Sequence, residues 1–307
     1  MTRLGILVVT YNSAGHIEAC LNSLPGRTPI LIIDNASTDG TAELARRHPA
    51  HPEVIANMAN LGFAAAVNQG FEHLETDFVL LLNPDVELRD GLPQLIDALH
   101  NPKAGAATGL LADQFSFHIR RLPTPWTLAF EVLGVNRLWP TNPINRRYRC
   151  RDLNPGKSQN VEQPAAAFFL VRREAWRDIG GFDSRFHPVW FEDVDFCQRL
   201  LAAGWSIRYE PAAQAVHAGG HSVNKLTWAC KQRFWYGSLL KYAAKHFGWW
   251  ELRLVALAVF IAFPPRCAVA YFNGSAVDPL STCAKVSGLA LSSIFGDLLT
   301  PTERESS

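Results

Sequence analysis

An α/β fold is predicted, with a mainly parallel sheet flanked by helices and a helical appendage at the C-terminal end. Three observations predict it. Between Leu4 and Leu82 apolar strand-like runs alternate with helical patterns, the rhythm of a parallel sheet with crossover helices. Each apolar run ends in a cluster of polar residues. Beyond Lys225 the pattern turns helical, basic and aromatic.

The predicted strands of the first half are Leu4–Thr10, Ile30–Asp34, Glu53–Asn57 and Phe78–Leu82, with helices at His16–Leu24, Thr41–Arg47 and Phe63–Leu74. The last helix places Phe63, Val67, Phe71 and Leu74 on one face. The stretch from Phe115 to Gln163 is rich in Pro, Arg and Asn and reads as an irregular excursion over the sheet, a place for an acceptor lid. A strand at Ala165–Val171 and a short helix at Glu174–Ile179 follow, then a turn at Gly180-Gly181, a helix at Val194–Ala203 and a strand at Ser206–Tyr209. The expected division is a catalytic domain over 1–224, with halves of about 1–112 and 113–224, and a helical region over 225–307.

A chain of 307 residues, 48% of them hydrophobic, suffices for one large domain with an appendage. The net charge of +1 gives no whole-molecule field for nucleic acid, so no nucleic-acid partner is expected. Six widely spaced cysteines argue for a reducing compartment, and the first residues lack a secretory pattern, so a cytoplasmic protein is expected.

Lys225 to Arg266 carries seven Lys or Arg against one acid, Glu251, interleaved with Trp and Tyr. The ten residues Leu254–Phe263 are continuously apolar until Pro264-Pro265-Arg266, which is expected to end the helix. Ten residues do not span a bilayer. The region suits either a helix in the interface of an anionic leaflet, on the cytoplasmic face of the inner membrane, or an appendage packed on the catalytic domain.

Ligands of open α/β sheets bind beyond the carboxyl ends of the strands. There this sequence has Thr10-Tyr11-Asn12, Asp34-Asn35, Asn57 with Asn60, and Asn83-Pro84-Asp85. A strand-end carboxylate such as Asp34 suits the imide N–H of a uracil or thymine, and Tyr11 offers a face for stacking, although Asn35 to Gly40 also reads as a turn and helix cap. Asp85 suits a Mg2+ or Mn2+ shared with substrate phosphates, since such ions take one or two carboxylates and complete their shell with phosphate and water. A Pro-containing turn with a capping Asp explains the same residues. His217 ends another apolar run and leads into the small-residue loop Ala218-Gly219-Gly220, before His221, which reads as structural.

Glu192-Asp193-Val194-Asp195 sets three carboxylates in an aromatic stretch that includes Trp190, Phe191 and Phe196. Like charges so close raise one another's pKa, and burial raises it further. A metal, a proton or a polyhydroxylated ligand would use them; alternatively they begin a helix, with Asp195 facing water.

Taken together, Val9-Thr10-Tyr11-Asn12, Asp34-Asn35-Ala36-Ser37-Thr38-Asp39-Gly40, Asn60-Leu61-Gly62-Phe63 with Asn68, Asn83-Pro84-Asp85, Gly180-Gly181-Phe182-Asp183 and Phe191-Glu192-Asp193-Val194-Asp195 resemble the ordered motifs of family 2 glycosyltransferases. Within the family they are most similar to bacterial rhamnosyltransferase-like members, over about Leu4 to Ser222. The resemblance implies a GT-A fold, a divalent cation and inversion at the anomeric carbon. It implies transfer of a single sugar from a UDP- or dTDP-sugar, dTDP-rhamnose among them, to a saccharide or polyprenyl-linked acceptor. Thr10, Tyr11, Asn12, Asp34, Asn60, Asn68 and Asn83 would surround the nucleotide, and Asp85 and His217 the metal. Asp193 would be the catalytic base, and Glu192 and Trp190 acceptor contacts.

Two positions depart from the pattern. Asn83 stands where the metal motif has its first acid, so metal affinity is expected to rest on Asp85, His217 and the donor phosphates. The nearest counterpart to the QxxRW motif of processive synthases, Gln232-Arg233-Phe234-Trp235, lacks its spacing, which argues for one sugar per encounter. The Arg146–Arg151 stretch is either an acceptor-phosphate contact or a solvated loop. A sugar-nucleotide pyrophosphorylase is the alternative enzyme, but Tyr11-Asn12-Ser13-Ala14-Gly15 is not a glycine-rich basic phosphate loop. No GxGxxG of a dinucleotide oxidoreductase follows the first strand either. A non-catalytic carbohydrate-binding protein on the same fold is a further alternative, against which the retention of both Asp85 and Asp193 argues.

Overall fold

The computed structural model describes residues 3–112, 118–217, 226–274 and 278–296. The segment Ala218–Lys225, with His221, lies outside them. By contacts the chain divides into two units. The first comprises 1–122, 149–188 and 192–225, the second 123–148, 189–191 and 226–307.

The first unit is built on a mixed sheet. Its chain runs β1 (Leu4–Thr10), α1 (Ile17–Asn22), β2 (Ile30–Asp34), α2 (Thr41–Arg47), β3 (Glu53–Ala56), α3 (Phe63–His73), β4 (Phe78–Leu82), β5 (Val86–Asp90), α4 (Leu92–Asp97), β6 (Ala104–Leu111) and β7 (Ile119–Arg120). The second unit then contributes α5 (Pro125–Val132), α6 (Val135–Leu138) and α7 (Pro143–Tyr148). The first unit resumes with β8 (Gln159–Val161), β9 (Gln163–Pro164), β10 (Phe168–Arg172), α8 (Arg173–Asp178), α9 (Glu192–Ala202) and β11 (Ser206–His217).

Strand order is β3-β2-β1-β4-β10-β6-β11-β5, with β8 on β11. β1, β2, β3, β4, β6 and β11 share one direction, and β10, β5 and β8 run against them. β2 and β4 are buried along their whole length, because helices cover both faces of a parallel sheet and both side-chain sets meet apolar neighbours. Alternation decides which side of the sheet each residue serves. Leu7, Leu81, Phe169 and Val171 pack with Val67 and Phe71 of α3, whereas Ile6, Val8, Leu80 and Leu82 pack with Ile17 of α1 and Leu95 of α4.

The expected short strand at Ser206–Tyr209 is the start of β11, which runs on to His217. Its register against β6 shifts between Glu210 and Gln214, where Pro211 cannot donate to a ladder. The shifted backbone sits close to two glycines. A Cβ on Gly109 would lie 2.3 Å from the Ala213 carbonyl oxygen, and one on Gly91, at φ +77°, 2.0 Å from that of Ala212. Past the shift, β11 pairs antiparallel with β5 and sets His217 opposite Val86.

The second unit adds α10 (Trp228–His246), α11 (Trp249–Phe272) and α12 (Pro279–Phe295). Thr227 caps α10 by accepting from the Cys230 N–H, and Glu251 accepts from the Gly248 N–H at the start of α11. Tyr236, Leu239, Val259, Phe263 and Val286 are among its buried side chains. The Phe191 ring packs against Trp235 and Tyr242 at centroid distances of 6.3 and 5.5 Å.

Two expectations are corrected here. Residues 123–148, expected in the acceptor half of the catalytic domain, group instead with the C-terminal helices. The Arg266 guanidinium explains the join, donating to the Val132 carbonyl of α5 (2.6 Å) and to the Tyr236 hydroxyl of α10. Pro264-Pro265 also does not end the helix, for α11 continues to Phe272. Two prolines deprive the Phe260 and Ile261 carbonyls of their intrahelical donors, a cost of about 3 kcal/mol each. Packing of Phe263, Cys267 and Ala270 and the Arg266 bonds hold the helix through them.

Candidate functional site

The first half of the site is a shelf made by two loops. Parallel pairing sets Thr10 directly beside Asp34, and the Thr10 hydroxyl donates to Asp34 Oδ1 at 2.7 Å. Ser37 donates to the same oxygen through its hydroxyl (2.5 Å) and to Oδ2 through its N–H (2.9 Å). Ser37 Oγ in turn accepts from the Asn12 N–H, and Asn12 Oδ1 accepts from the Thr38 N–H, each at 2.8 Å. Motifs that are separate in sequence thus become one hydrogen-bonded surface. Asn12 (φ +51°) and Ala36 (φ +60°) adopt left-handed backbone conformations within it, a cost that clusters at functional loops. Asp34 is buried and accepts three hydrogen bonds, which leaves one carboxylate lone-pair position for a ligand. Tyr11 beside it is half-buried.

Behind the shelf runs an amide ladder. Asn57 Nδ2 donates to Asn35 Oδ1 (3.1 Å) and to Gln69 Oε1 (3.0 Å), Gln69 Nε2 returns to Asn57 Oδ1 (3.0 Å), and Asn35 Nδ2 donates to the Gly62 carbonyl (3.2 Å). Asn60 Oδ1 accepts from the Gly62 N–H at 2.9 Å. Gln69 had no signal of its own in the sequence; it lies on α3 and joins only through folding.

Asn68, expected beside the nucleotide, bonds partners within the protein. Its Nδ2 donates to the Phe182 carbonyl (2.7 Å), and its Oδ1 accepts from the Phe182 N–H (2.8 Å) and from Trp176 Nε1 (3.3 Å). Both ends of the amide bond the backbone of Phe182, just after Gly180-Gly181. The chain there leads toward α9, and Phe182 stacks on Phe196 of α9 with centroids 4.1 Å apart.

The acidic cluster occupies the first turn of α9, where carboxylates meet the positive end of the helix. Its three members are not equivalent. Asp195 is fully buried rather than facing water, and it pairs with Arg199 Nε at 2.8 Å. Asp193 is half-buried, with Oδ1 accepting from the Val194 N–H (2.8 Å) and Oδ2 from the Ala166 N–H (3.4 Å). Desolvation raises its pKa, against which these backbone donors and the Arg120 charge act. Glu192 is buried, its Oε2 has no hydrogen-bond partner, and desolvation and then Asp193 push its pKa well above the ordinary carboxylate value. Trp190 groups with the second unit and, like Phe191, has a left-handed backbone, φ +78° and +69°.

Three consecutive alanines connect the parts. The Ala165 N–H donates to the His118 carbonyl (2.9 Å), the Ala166 N–H to Asp193, and the Ala167 carbonyl accepts from the Asn83 N–H (3.0 Å). The Asn83-Pro84-Asp85 segment and the Asp193 carboxylate are therefore held by adjacent residues. His118 and Arg120 are neighbours of this segment that the sequence reading missed, because nothing in their local sequence marks them. Buried His118 donates through Nε2 to Thr108 Oγ1 (2.7 Å), since that hydroxyl itself donates to the Phe168 carbonyl. Its pKa is lowered to about 3 by desolvation and then by His217, so the ring is neutral.

Asp85 Oδ1 lies 3.2 Å from His217 Nε2, with both side chains largely buried. Two cis ligands of an octahedral cation, each about 2.1 Å from it, stand about 3 Å apart, so this spacing suits a shared Mg2+ or Mn2+. No group of three or more His, Cys, Asp or Glu able to hold a metal occurs among the described residues. A two-residue donor set fits a cation whose shell is completed by phosphate and water, not a closed protein cage.

Comparisons with known proteins show the family and the fold. The profile of glycosyl transferase family 2 matches residues 5–180, and that of glycosyl transferase family group 2 matches residues 163–293. The chain is 32% identical over 272 residues to the N-acetylglucosaminyl-diphospho-decaprenol L-rhamnosyltransferase of Mycobacterium tuberculosis, covering 82% of this chain and 87% of the relative. It is 23% identical over 256 residues to rhamnosyltransferase WbbL of Escherichia coli, covering 78% and 92%. In structure it is similar to the mannosyltransferase PcManGT of Pyrobaculum calidifontis, solved with GDP-Man and Mn2+ (TM-score 0.54, 18% identity, 97% and 87% covered). It is similar also to TarS 1–349 of S. aureus with UDP-GlcNAc (TM-score 0.54, 12% identity, 95% and 81% covered). The fold is GT-A, and the chain belongs to glycosyl transferase family 2, whose activity, glycosyl transfer, it shares.

Proposed function

We propose that this glycosyltransferase moves one sugar, with inversion, from a nucleotide-diphosphate donor, dTDP-rhamnose before others, to a hydroxyl of a saccharide carried on a polyprenyl diphosphate. The observation that carries the reading is the alanine link. Ala166 holds the Asp193 carboxylate and Ala167 holds Asn83, two residues before Asp85, so a proton acceptor and a diphosphate-binding carboxylate face one reaction. The likeness to the decaprenol-linked rhamnosyltransferase over most of both chains supports the choice of substrates.

Inversion calls for a single displacement. The acceptor oxygen bonds to the anomeric carbon as the bond to the donor diphosphate breaks, and Asp193 takes the hydroxyl proton. Backbone donors favour the ionised form of Asp193, while desolvation raises its pKa and makes it the stronger base. Asp34 accepts from the base and Tyr11 stacks on it, with Thr10, Asn12, Asn60 and Asn83 shaping the surrounding loops; Glu192 and Trp190 contact the acceptor. Asp85 and His217 would hold a divalent cation, which supplies positive charge against the departing diphosphate when bound. The enzyme works on the cytoplasmic side of the membrane, with the region after Lys225 attaching it there.

The test is an assay of the purified chain with dTDP-rhamnose, UDP- and GDP-sugars, with and without Mn2+, on a short polyprenyl-diphosphate N-acetylglucosamine. A rhamnosylated product of inverted configuration is expected. Turnover of none of these donors, or transfer with retention, rejects the reading.

A further inference from the structure

The exposed large apolar side chains are gathered in the helical unit. Among the described residues of the first unit they are Met58, Leu61 and Val216, and every other one belongs to the second. On α11 they follow a helical stripe. Trp250, Leu257, Ile261 and Phe272 are exposed along one side, with Pro265 and Ala268 between them, and no charged residue interrupts the line. The opposite side, with Val255, Val259, Phe263 and Cys267, is buried in the unit. α12, packed against α11, repeats the pattern, with Leu280, Ala284, Leu291 and Phe295 exposed on one side and Val286 and Ala290 buried. Phe272 and Phe295 are 83% and 82% exposed, an arrangement that water alone does not favour.

Charge identifies what covers this face. The described residues of the helical unit carry ten Lys or Arg against three acids, whereas the whole chain is nearly neutral at +1. A second copy would bring the same excess of positive charge to the contact. An anionic lipid surface complements it. Trp126 and Trp139, on and next to the helices α5 and α6, are exposed in the same unit, as are Trp249, Trp250 and Tyr271 at the two ends of α11; Trp and Tyr favour the headgroup level. Arg253 lies over the Trp249 ring at 3.6 Å, an arrangement that lets a cation reach headgroups while its stem stays on apolar surface.

We propose that α11 and α12 lie embedded in one leaflet of an anionic bilayer, their apolar stripes toward the acyl chains, without crossing it. The proposal rests on the membrane attachment read for the region after Lys225 and deepens it, naming the inserted face, its depth and the contribution of residues 123–148. α11, at 24 residues, is about 36 Å long and apolar enough to cross. Only 39% of its most apolar stretch is buried, unlike a core helix, yet one side is committed to its own unit. The return helix α12, at 17 residues, is about 25 Å long, short of the roughly 30 Å hydrocarbon core. A helix pair covered on one side and apolar on the other suits an interface, not a crossing.

The test is flotation of the full-length protein with phosphatidylcholine vesicles with and without phosphatidylglycerol. Binding is expected to be stronger with the anionic lipid and to persist at about 1 M salt, where screening leaves only the apolar part. The double variants L257E/I261E and L291E/F295E each change only exposed or rim side chains and are expected to weaken binding about tenfold or more. Far-UV circular dichroism and melting show which of them fold, M58E is expected to bind like the unaltered protein, and donor binding by thermal shift reports on the transferase reading separately. The proposal is overturned if a folded double variant binds as well as the unaltered protein, or if salt releases all of it. It is overturned too if the unaltered protein ignores vesicles, including the case in which it sediments as a dimer through this face.

Discussion

Glu192 and Asp193 are neighbouring carboxyls with opposite surroundings: Asp193 accepts from the backbone N–H groups of Val194 and Ala166, while Glu192 Oε2 is buried without a partner. Burial raises the pKa of both, but backbone donors and the Arg120 charge offset it only at Asp193, which is why we propose Asp193 as the base and Glu192 as the carboxyl that holds its proton more tightly. Asp193→Asn is expected to lower kcat by about 10²–10⁴-fold with donor affinity retained. Glu192→Gln keeps the shape and neutrality of the protonated side chain, so its kcat is expected to stay within about tenfold, with the change in acceptor KM. Steady-state kinetics of the two variants decide it, and the reverse order of damage transfers the role of base to Glu192.

The pH profile follows from the same pair. A base must be ionised, and desolvation raises the Asp193 pKa, so kcat/KM is expected to fall as pH drops through a value above the ordinary carboxylate range. The Arg120 charge lowers that pKa, and Arg120→Gln is expected to move the acid limb to higher pH. An unmoved limb in the variant removes Arg120 from the account.

Stability should show the cost of the buried acid. A carboxyl whose pKa is raised on folding contributes stability below its unfolded pKa and loses it as pH rises through the folded value. Thermal melts of Glu192→Gln against the unaltered protein should therefore diverge upward in pH, with the variant the more stable at neutral pH. Parallel melting curves across the range would mean that Glu192 finds a partner in solution.

Asp85 and His217 are expected to act as one donor set. Asp85→Ala and His217→Ala should each weaken donor binding in Mn2+ by about tenfold or more and leave the residual binding without metal nearly unchanged. Calorimetric titration with and without a chelator measures both arms. Equal affinity of the Asp85 variant and the unaltered protein in Mn2+ counts against the assignment.

Asn68→Ala is expected to cost stability rather than nucleotide affinity. Its amide bonds both backbone polar groups of Phe182 and the Trp176 indole, and leaving such groups unpaired costs about 1–3 kcal/mol. Urea unfolding should report that loss while donor affinity holds. A large loss of donor affinity at unchanged stability places Asn68 in the nucleotide site instead.

Much of this was legible because local chemistry announces itself. Ile30–Ile33 and Phe78–Leu82 read as buried strands since parallel strands covered on both faces need continuous apolar runs, and the polar cluster after each run marks the ligand-binding end of the sheet. Asp34, Asp85 and Asp193 stood out as acids at strand ends or among aromatic rings, where charge needs a use. Helix ends, by contrast, shifted by a residue or two, because fraying and capping decide them.

Other features arise only when distant segments meet. His217 reaches Asp85 because β11 shifts its register beside Pro211 and then pairs with β5. Arg120, His118 and Gln69 carry no local signature, and Asn68 bonds the backbone of Phe182 because the chain after Gly180-Gly181 packs against α3. Pro264-Pro265 suggested a helix end, since sequence rules weigh the lost N–H donors but not the Arg266 bonds and apolar packing that outweigh them.

The sequence by itself determined the sheet, the polar clusters at its strand ends, the family and the carboxylates, because periodicity and the chemistry of residue types act over a few neighbouring positions. The tertiary structure decided how those carboxylates differ, which residues pair across the sheet, and that 123–148 joins the C-terminal helices. Burial, hydrogen-bond partners and register depend on segments far apart in the chain, which no local pattern encodes.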